Sequence, residues 1–124
     1  MTAPAWACFV LACMVGAPLR YLLDGLIQDH TEGVFPHGTW VINVTGSFVL
    51  GILTGLALYH GFGKVPKTIL GTGFCGAYTT FSTFTFETVR LAEEGDLRDA
   101  ARNATFSLLF EGIAAGAGLT LTML

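Results

Sequence analysis

The chain has 124 residues, of which 52% are hydrophobic and only 12% are charged, with a formal net charge of −3. A soluble domain normally carries about 25% charged residues, so these charges are too few to clothe a water-exposed surface, and the composition points to the membrane. With no basic patch, nucleic-acid binding is excluded as a reading.

A crossing needs roughly 20 apolar residues to span ~30 Å of hydrocarbon. The first apolar segment covers residues 5–26 and is interrupted by Pro18, Arg20 and Asp24. No Lys or Arg precedes Arg20, so the segment lacks the basic stretch of a secretory signal and is expected to stay in the protein. Arg20 and Asp24 stand four apart, the spacing of an ion pair on one helix face. A polar link at 29–37 follows, and Gly38-Thr39 reads as a helix start. The second segment covers 39–59, with Asn43, Thr45 and Ser47 about one turn in. The third covers 67–91 and the fourth 101–123, joined by the charged run 93–102. Four spans nearly exhaust the chain. The expectation is one all-α membrane domain over residues 1–124, with no soluble catalytic module. Cys8, Cys13 and Cys75 are odd in number and lie in apolar segments, so they read as small packing residues without a disulfide or metal. His30, His37 and His60 fall near helix ends without clustering and are assigned no metal.

In a four-span chain the side holding the termini carries Lys64 and Lys67, while the other carries Arg90, Arg98 and Arg102, with Arg20 near the end of the first span. Orientation follows the Lys/Arg imbalance of short loops. The imbalance here is small, so the chain is able to insert both ways, which permits an antiparallel dimer without requiring one. Gly51 and Gly55, and again Gly112 and Gly116, put paired glycines on one helix face, where backbones approach closely.

The third segment carries the most informative run, Gly73-Phe-Cys-Gly-Ala-Tyr-Thr-Thr-Phe-Ser-Thr-Phe84. Polar or irregular backbone survives at membrane depth only when buried in protein or lining a wet path. Gly71, Gly73 and Gly76 either serve the close packing of an intact helix or allow a helix break near 76–79, and a break frees carbonyls that a buried cation could satisfy. Phe81 and Phe84 share a helix face. Such a pair serves packing, or presents the positive ring edges that accept a small anion without a fixed charge. Thr79, Thr80, Ser82 and Thr83 surround the pair, so some hydroxyls must face a polar partner. Asn43 offers either an interhelical hydrogen bond or an amide donor for an anion. Glu87 and Glu111 lie in the third and fourth spans, each protonated, paired or facing a vestibule. No nucleophile–base arrangement, phosphate loop or metal-ligand spacing is present, so no enzyme is read.

These motifs resemble the small bacterial fluoride channels of the Fluc or CrcB type. The likeness lies in Gly16-Ala-Pro-Leu-Arg20-Tyr21, in Gly38-Thr39 with Asn43 and Gly46-Ser47-Phe48, and in Gly73 through Phe84. It implies a dual-topology antiparallel homodimer with two fluoride pores in the bacterial inner membrane, surrounded by lipid, although some members pair with a paralogue. By position, Asn43 and the hydroxyls of Thr80, Ser82 and Thr83 would hydrogen-bond fluoride, Phe81 and Phe84 would supply ring edges, and Ser107 aligns with a polar position of the fourth span. Gly76 and Thr79 would offer backbone carbonyls, at the mid-membrane break, to a central structural sodium ion. Arg20 would sit at the vestibule, and Glu87 is grouped with it as a vestibule or structural residue. Glu111 departs from the family pattern. The implied function is passive fluoride efflux that protects against fluoride. A small four-span proton-coupled multidrug exporter is the alternative, but such exporters resemble one another in a first-span carboxylate, and residues 1–23 contain no Asp or Glu. A non-transporting assembly subunit would leave the hydroxyl–phenylalanine run without a use.

Overall fold

The computed structural model describes all residues from 1 to 124 and is entirely helical. Helix α1, Ala3–His30, opens with Pro4 in its first turn, where the missing N–H costs nothing. Its 28 residues rise about 42 Å, more than a bilayer core requires. It runs four residues past its predicted end. His30 Nδ1 lies 2.7 Å from the Leu26 carbonyl and Thr31 Oγ1 donates to the Ile27 carbonyl, so the last turn is capped by side chains. Helix α2 is His37–Tyr59 and helix α6 is Leu97–Leu121, whose first turn is capped by Asp96 accepting from the Asp99 N–H at 3.2 Å. These three helices are long and apolar enough to cross a membrane.

Between α2 and α6 lies an interrupted helical segment: α3 (Lys64–Lys67), a π-helical stretch π1 (Thr68–Cys75), α4 (Gly76–Tyr78), and, after a break, α5 (Ser82–Glu93). Gly95, at φ +88°, lets α5 stop and the chain turn into α6, with the Asp96 N–H donating to the Leu91 carbonyl at 2.9 Å. The break falls at Thr79–Phe81, at and just beyond the 76–79 window expected from the glycines.

The helices meet through small residues. On α2, Thr39, Ile42, Asn43, Gly46, Leu53 and their neighbours form the buried stripe. A side chain at Gly51 would run into the Ala115 backbone, and one at Gly118 into the backbone of Phe48. The α2–α6 pair is thus held at backbone contact. Gly112 and Gly116 have open space where a Cβ would stand, so that second glycine pair packs against nothing within the chain. The approach to α2 is made by Ala115 and Gly118 instead. In the same way Gly16 of α1 lies against the Phe74 carbonyl, and Gly73 of π1 against Phe9. Close packing of α1 on π1 brings Arg20 beside the break.

The ion pair expected between Arg20 and Asp24 does not form. Arg20 Nη1 donates to the Thr79 carbonyl at 3.4 Å, where the break leaves an acceptor without a helical partner. Asp24 Oδ1 has no hydrogen-bond partner and packs against Gly38 in the first turn of α2, where the helix dipole favours a negative charge.

Candidate functional site

The break is held from across the bundle by one side chain. Thr79 is extended, at φ −78° and ψ 162°, which turns the chain out of the helix. Its own N–H still reaches the Cys75 carbonyl at 2.8 Å, but the next N–H, of Thr80, does not return to the helix. It donates to Asn43 Oδ1 at 2.8 Å, and Asn43 Nδ2 donates to the Thr80 carbonyl at 2.8 Å. A buried backbone donor and acceptor that the broken helix would orphan are both satisfied by one amide. Asn43 is only 5% exposed. Its amide has two N–H groups, so one remains after Thr80 is served.

Beyond the break, the Thr80 hydroxyl organises the start of α5. It accepts from the Thr83 N–H at 3.2 Å, in the manner of an N-cap, donates to Thr83 Oγ1 at 3.1 Å, and lies 3.3 Å from Ser82 Oγ. Three hydroxyls therefore converge within one turn; Thr80 gives its one proton to Thr83, and the Thr83 proton is left without a partner.

A cavity of about 470 Å³ opens beside this cluster. Asn43, Gly76, Thr79, Thr80, Phe81, Phe84 and Ser107 all line it. The Phe81 and Phe84 rings stand 5.9 Å apart at 45°, and Phe81 is 76% exposed, so one wall of the cavity lies at the surface of the chain. A second cavity, of about 200 Å³, lies on the other side of Thr80 and is lined by Arg20, Tyr21, Asp24, Thr39, Ile42, Thr80 and Thr83. Thr80 is the residue common to both. Ser82 is exposed and lines neither cavity, although its hydroxyl touches Thr80. Glu87 is also outside them; Thr39 Oγ1 donates to its Oε1 at 3.0 Å and its Oε2 is buried without a partner.

Ser107 is 3% exposed and its hydroxyl reaches Asn103 Oδ1 at 3.5 Å, while Asn103 Nδ2 donates to Thr88 Oγ1 at 2.8 Å. This chain of polar side chains ties α6 to α5, and Asn103, 1% exposed, was not singled out by sequence reasoning. A polar residue about two and a half helical turns before Gly112 on an apolar helix was the available signal. Thr45 likewise meets the Tyr78 hydroxyl at 2.9 Å, a second polar tie between α2 and the segment before the break.

No three His, Cys, Asp or Glu residues converge to hold a metal ion. A hard cation held by backbone oxygens is a different case, and Gly76 and Thr79 fit it. The N–H four residues on from Gly76 belongs to Thr80 and is taken by Asn43, so the Gly76 carbonyl is released from helical pairing. The Thr79 carbonyl accepts only the long contact from Arg20. Hard cations prefer such oxygens.

The family model described as "CrcB-like protein, Camphor Resistance (CrcB)" matches residues 7–119. Among curated relatives, a protein of Streptomyces avermitilis named fluoride-specific ion channel FluC 1 is 49% identical, over 91% of this chain and 87% of the relative. A protein of the same name from Frankia casuarinae is 43% identical, over 92% of this chain and 94% of its own length. One named fluoride-specific ion channel FluC 2, from Mycolicibacterium paratuberculosis, is 42% identical over 99% of this chain and 98% of the relative.

Proposed function

The chain belongs to the CrcB-like family, and we propose that it is a multi-pass membrane channel, not an enzyme, that conducts fluoride selectively and passively out of the cell. The observation that carries the reading is the cavity in which Asn43, Thr80, Phe81, Phe84 and Ser107 meet with no Lys, Arg or His among them.

Fluoride is small and holds its water tightly, so a path through hydrocarbon must replace several hydrogen bonds at once. The spare Asn43 N–H supplies one donor, the hydroxyls of Thr80, Ser82 and Thr83 would supply more by turning from one another to the ion, and the two phenyl rings add positive edges. None carries a full charge. Conduction needs binding strong enough to enter and weak enough to leave, which a fixed ammonium beside the ion would spoil. Chloride is too large for the same spacing. Arg20, in the second cavity, draws anions to the mouth from outside the narrow part, and Glu87 braces α2 against α5 through Thr39. Weak-acid entry leaves fluoride trapped in a more alkaline interior, and this trapped fluoride is what drives efflux across the bacterial inner membrane.

In this reading the segment from 64 to 93 forms a fourth crossing, broken at mid-membrane. Its two halves are short singly but together match the length of α2 and α6. The exposed ring of Phe81 then needs a second copy to close its side of the path, as an antiparallel homodimer or with a paralogue. A sodium ion at the dimer centre would be held by the Gly76 and Thr79 carbonyls of each copy, where it would tie the two breaks together. Two carbonyls from one chain are too few for a hard cation, so the second copy supplies the rest.

The test is reconstitution of the purified chain in liposomes, with fluoride and chloride efflux followed by ion-selective electrodes. Fluoride efflux without chloride efflux is expected. Efflux of neither ion sinks the reading, and drug–proton exchange in its place would move the chain to the exporter class.

A further inference from the structure

Glu111 has no part in the function described above, yet it stands in the same cavity. It lies one turn beyond Ser107 on α6 and lines the space shared by Asn43, Thr80, Phe81 and Phe84. Its Oε1 is buried and has no hydrogen-bond partner. No basic residue lines that cavity. We infer that Glu111 is a proton-dependent gate on the anion path, open when its carboxyl is neutral and closed when it is ionised. The inference rests on the fluoride-channel reading and adds to it the control of flux by pH.

No basic side chain around Glu111 compensates its charge. On α2, no charged residue lies between Asn43 and Tyr59, and the polar neighbours there are the Asn43 amide and the Ser47 hydroxyl. From π1 the cavity receives Gly71, Thr72 and Cys75. From α4, the Tyr78 hydroxyl is engaged with Thr45. On α5, Glu87 faces Thr39 outside the cavity, and Arg90 pairs with Glu94 at 2.8 Å. Arg20 and Asp24 belong to the other cavity, beyond Thr80. On α6 itself, Arg102 is paired with Asp99, and from 103 onward Glu111 is the only ionisable side chain. A carboxylate here would meet fluoride as a like charge with no basic side chain lining the cavity to offset the repulsion. A neutral carboxylic acid instead adds an O–H donor to the row formed by Asn43, Thr80 and Ser107. One proton converts the residue from barrier to ligand.

The experiment measures fluoride efflux from liposomes at equal pH on both sides, from pH 6 to 9, with protein-free liposomes correcting for permeation of the neutral acid. Flux of the unmodified chain is expected to fall as pH rises, by up to about tenfold per unit above the carboxyl's midpoint. Glu111→Gln, which keeps a neutral donor, is expected to show a ratio of flux at pH 6 to flux at pH 9 near one. Glu111→Thr serves if the first variant fails to assemble. Infrared difference spectra between the unmodified chain and Glu111→Gln are expected to show a carboxylic acid band that titrates with the same midpoint as flux. A flat profile for the unmodified chain, or a slope that persists in Glu111→Gln, overturns the gate while leaving the channel standing. Absence of fluoride flux at every pH removes the channel reading, and the gate with it.

Discussion

Asn43→Ala tests whether one amide both holds the break and serves the ion. The substitution deletes the two 2.8 Å hydrogen bonds to the Thr80 backbone and leaves a buried N–H and C=O without partners. An interhelical hydrogen bond in a membrane protein is worth ~0.6 kcal/mol on average and up to ~1.7, so two such bonds contribute ~1–3 kcal/mol. That corresponds to roughly a five- to 150-fold shift toward an unlatched break. Flux should suffer more than packing does. In the proposed channel the variant would also remove an N–H donor to an anion, and a hydrogen bond to a charged group is worth ~1.5–3 kcal/mol, so fluoride efflux should fall at least about tenfold. Thr45→Val is the control: it cuts the single 2.9 Å tie between Thr45 and the Tyr78 hydroxyl, from α2 to the segment before the break, at about half the stability cost and without touching the cavity's donors. Detergent titration of helicity would measure stability, and liposome efflux the flux. If Asn43→Ala matched the unmodified chain in both, the latch would be refuted. If Thr45→Val lost as much flux as Asn43→Ala, the effect would be packing alone.

Phe81→Ile and Phe84→Ile replace ring edges with apolar side chains of no fixed quadrupole; each should suppress fluoride efflux while the assembled state seen by crosslinking stays intact, and unchanged efflux would remove the rings from the mechanism. Gly51→Ala drives a methyl into the Ala115 backbone, which cannot swing aside as a side chain would, so about 1–3 kcal/mol of α2–α6 stability should be lost in a detergent titration. Gly25→Ala, where a Cβ meets open space, should cost nothing in the same assay.

Much of this architecture was legible because the membrane forces it. Apolar run lengths placed α1, α2 and α6 to within a few residues, since hydrocarbon thickness sets the length and little else competes. The break was legible in kind but less so in position. Glycines mark where a helix is able to part, whereas the parting at Thr79–Phe81 is settled by Asn43, 37 residues away in sequence, which captures the Thr80 backbone. The Arg20–Asp24 pair failed for a related reason: spacing along one helix says nothing of an unpaired carbonyl brought alongside by another. The π-helical stretch Thr68–Cys75 left no mark in sequence beyond Gly71 and Gly73.

The division of labour within the cavity follows from hydrogen-bond capacity. Asn43 has four hydrogen-bonding positions, and the backbone of Thr80 uses one acceptor and one donor among them. Because those two are committed, the amide cannot flip: the carbonyl that would repel an anion is fixed on the Thr80 N–H, and the remaining N–H is fixed on the nitrogen side. Serine at position 43 could donate to an anion, but its single rotating hydroxyl could not satisfy the Thr80 donor and acceptor together with it. Aspartate could receive the Thr80 N–H but would set a carboxylate against the Thr80 carbonyl and against the ion. In the proposed channel the broken helix and the neutral donor row are therefore one requirement, met by an amide: the same contact that satisfies the Thr80 backbone at the break would also decide which pole of Asn43 an ion meets.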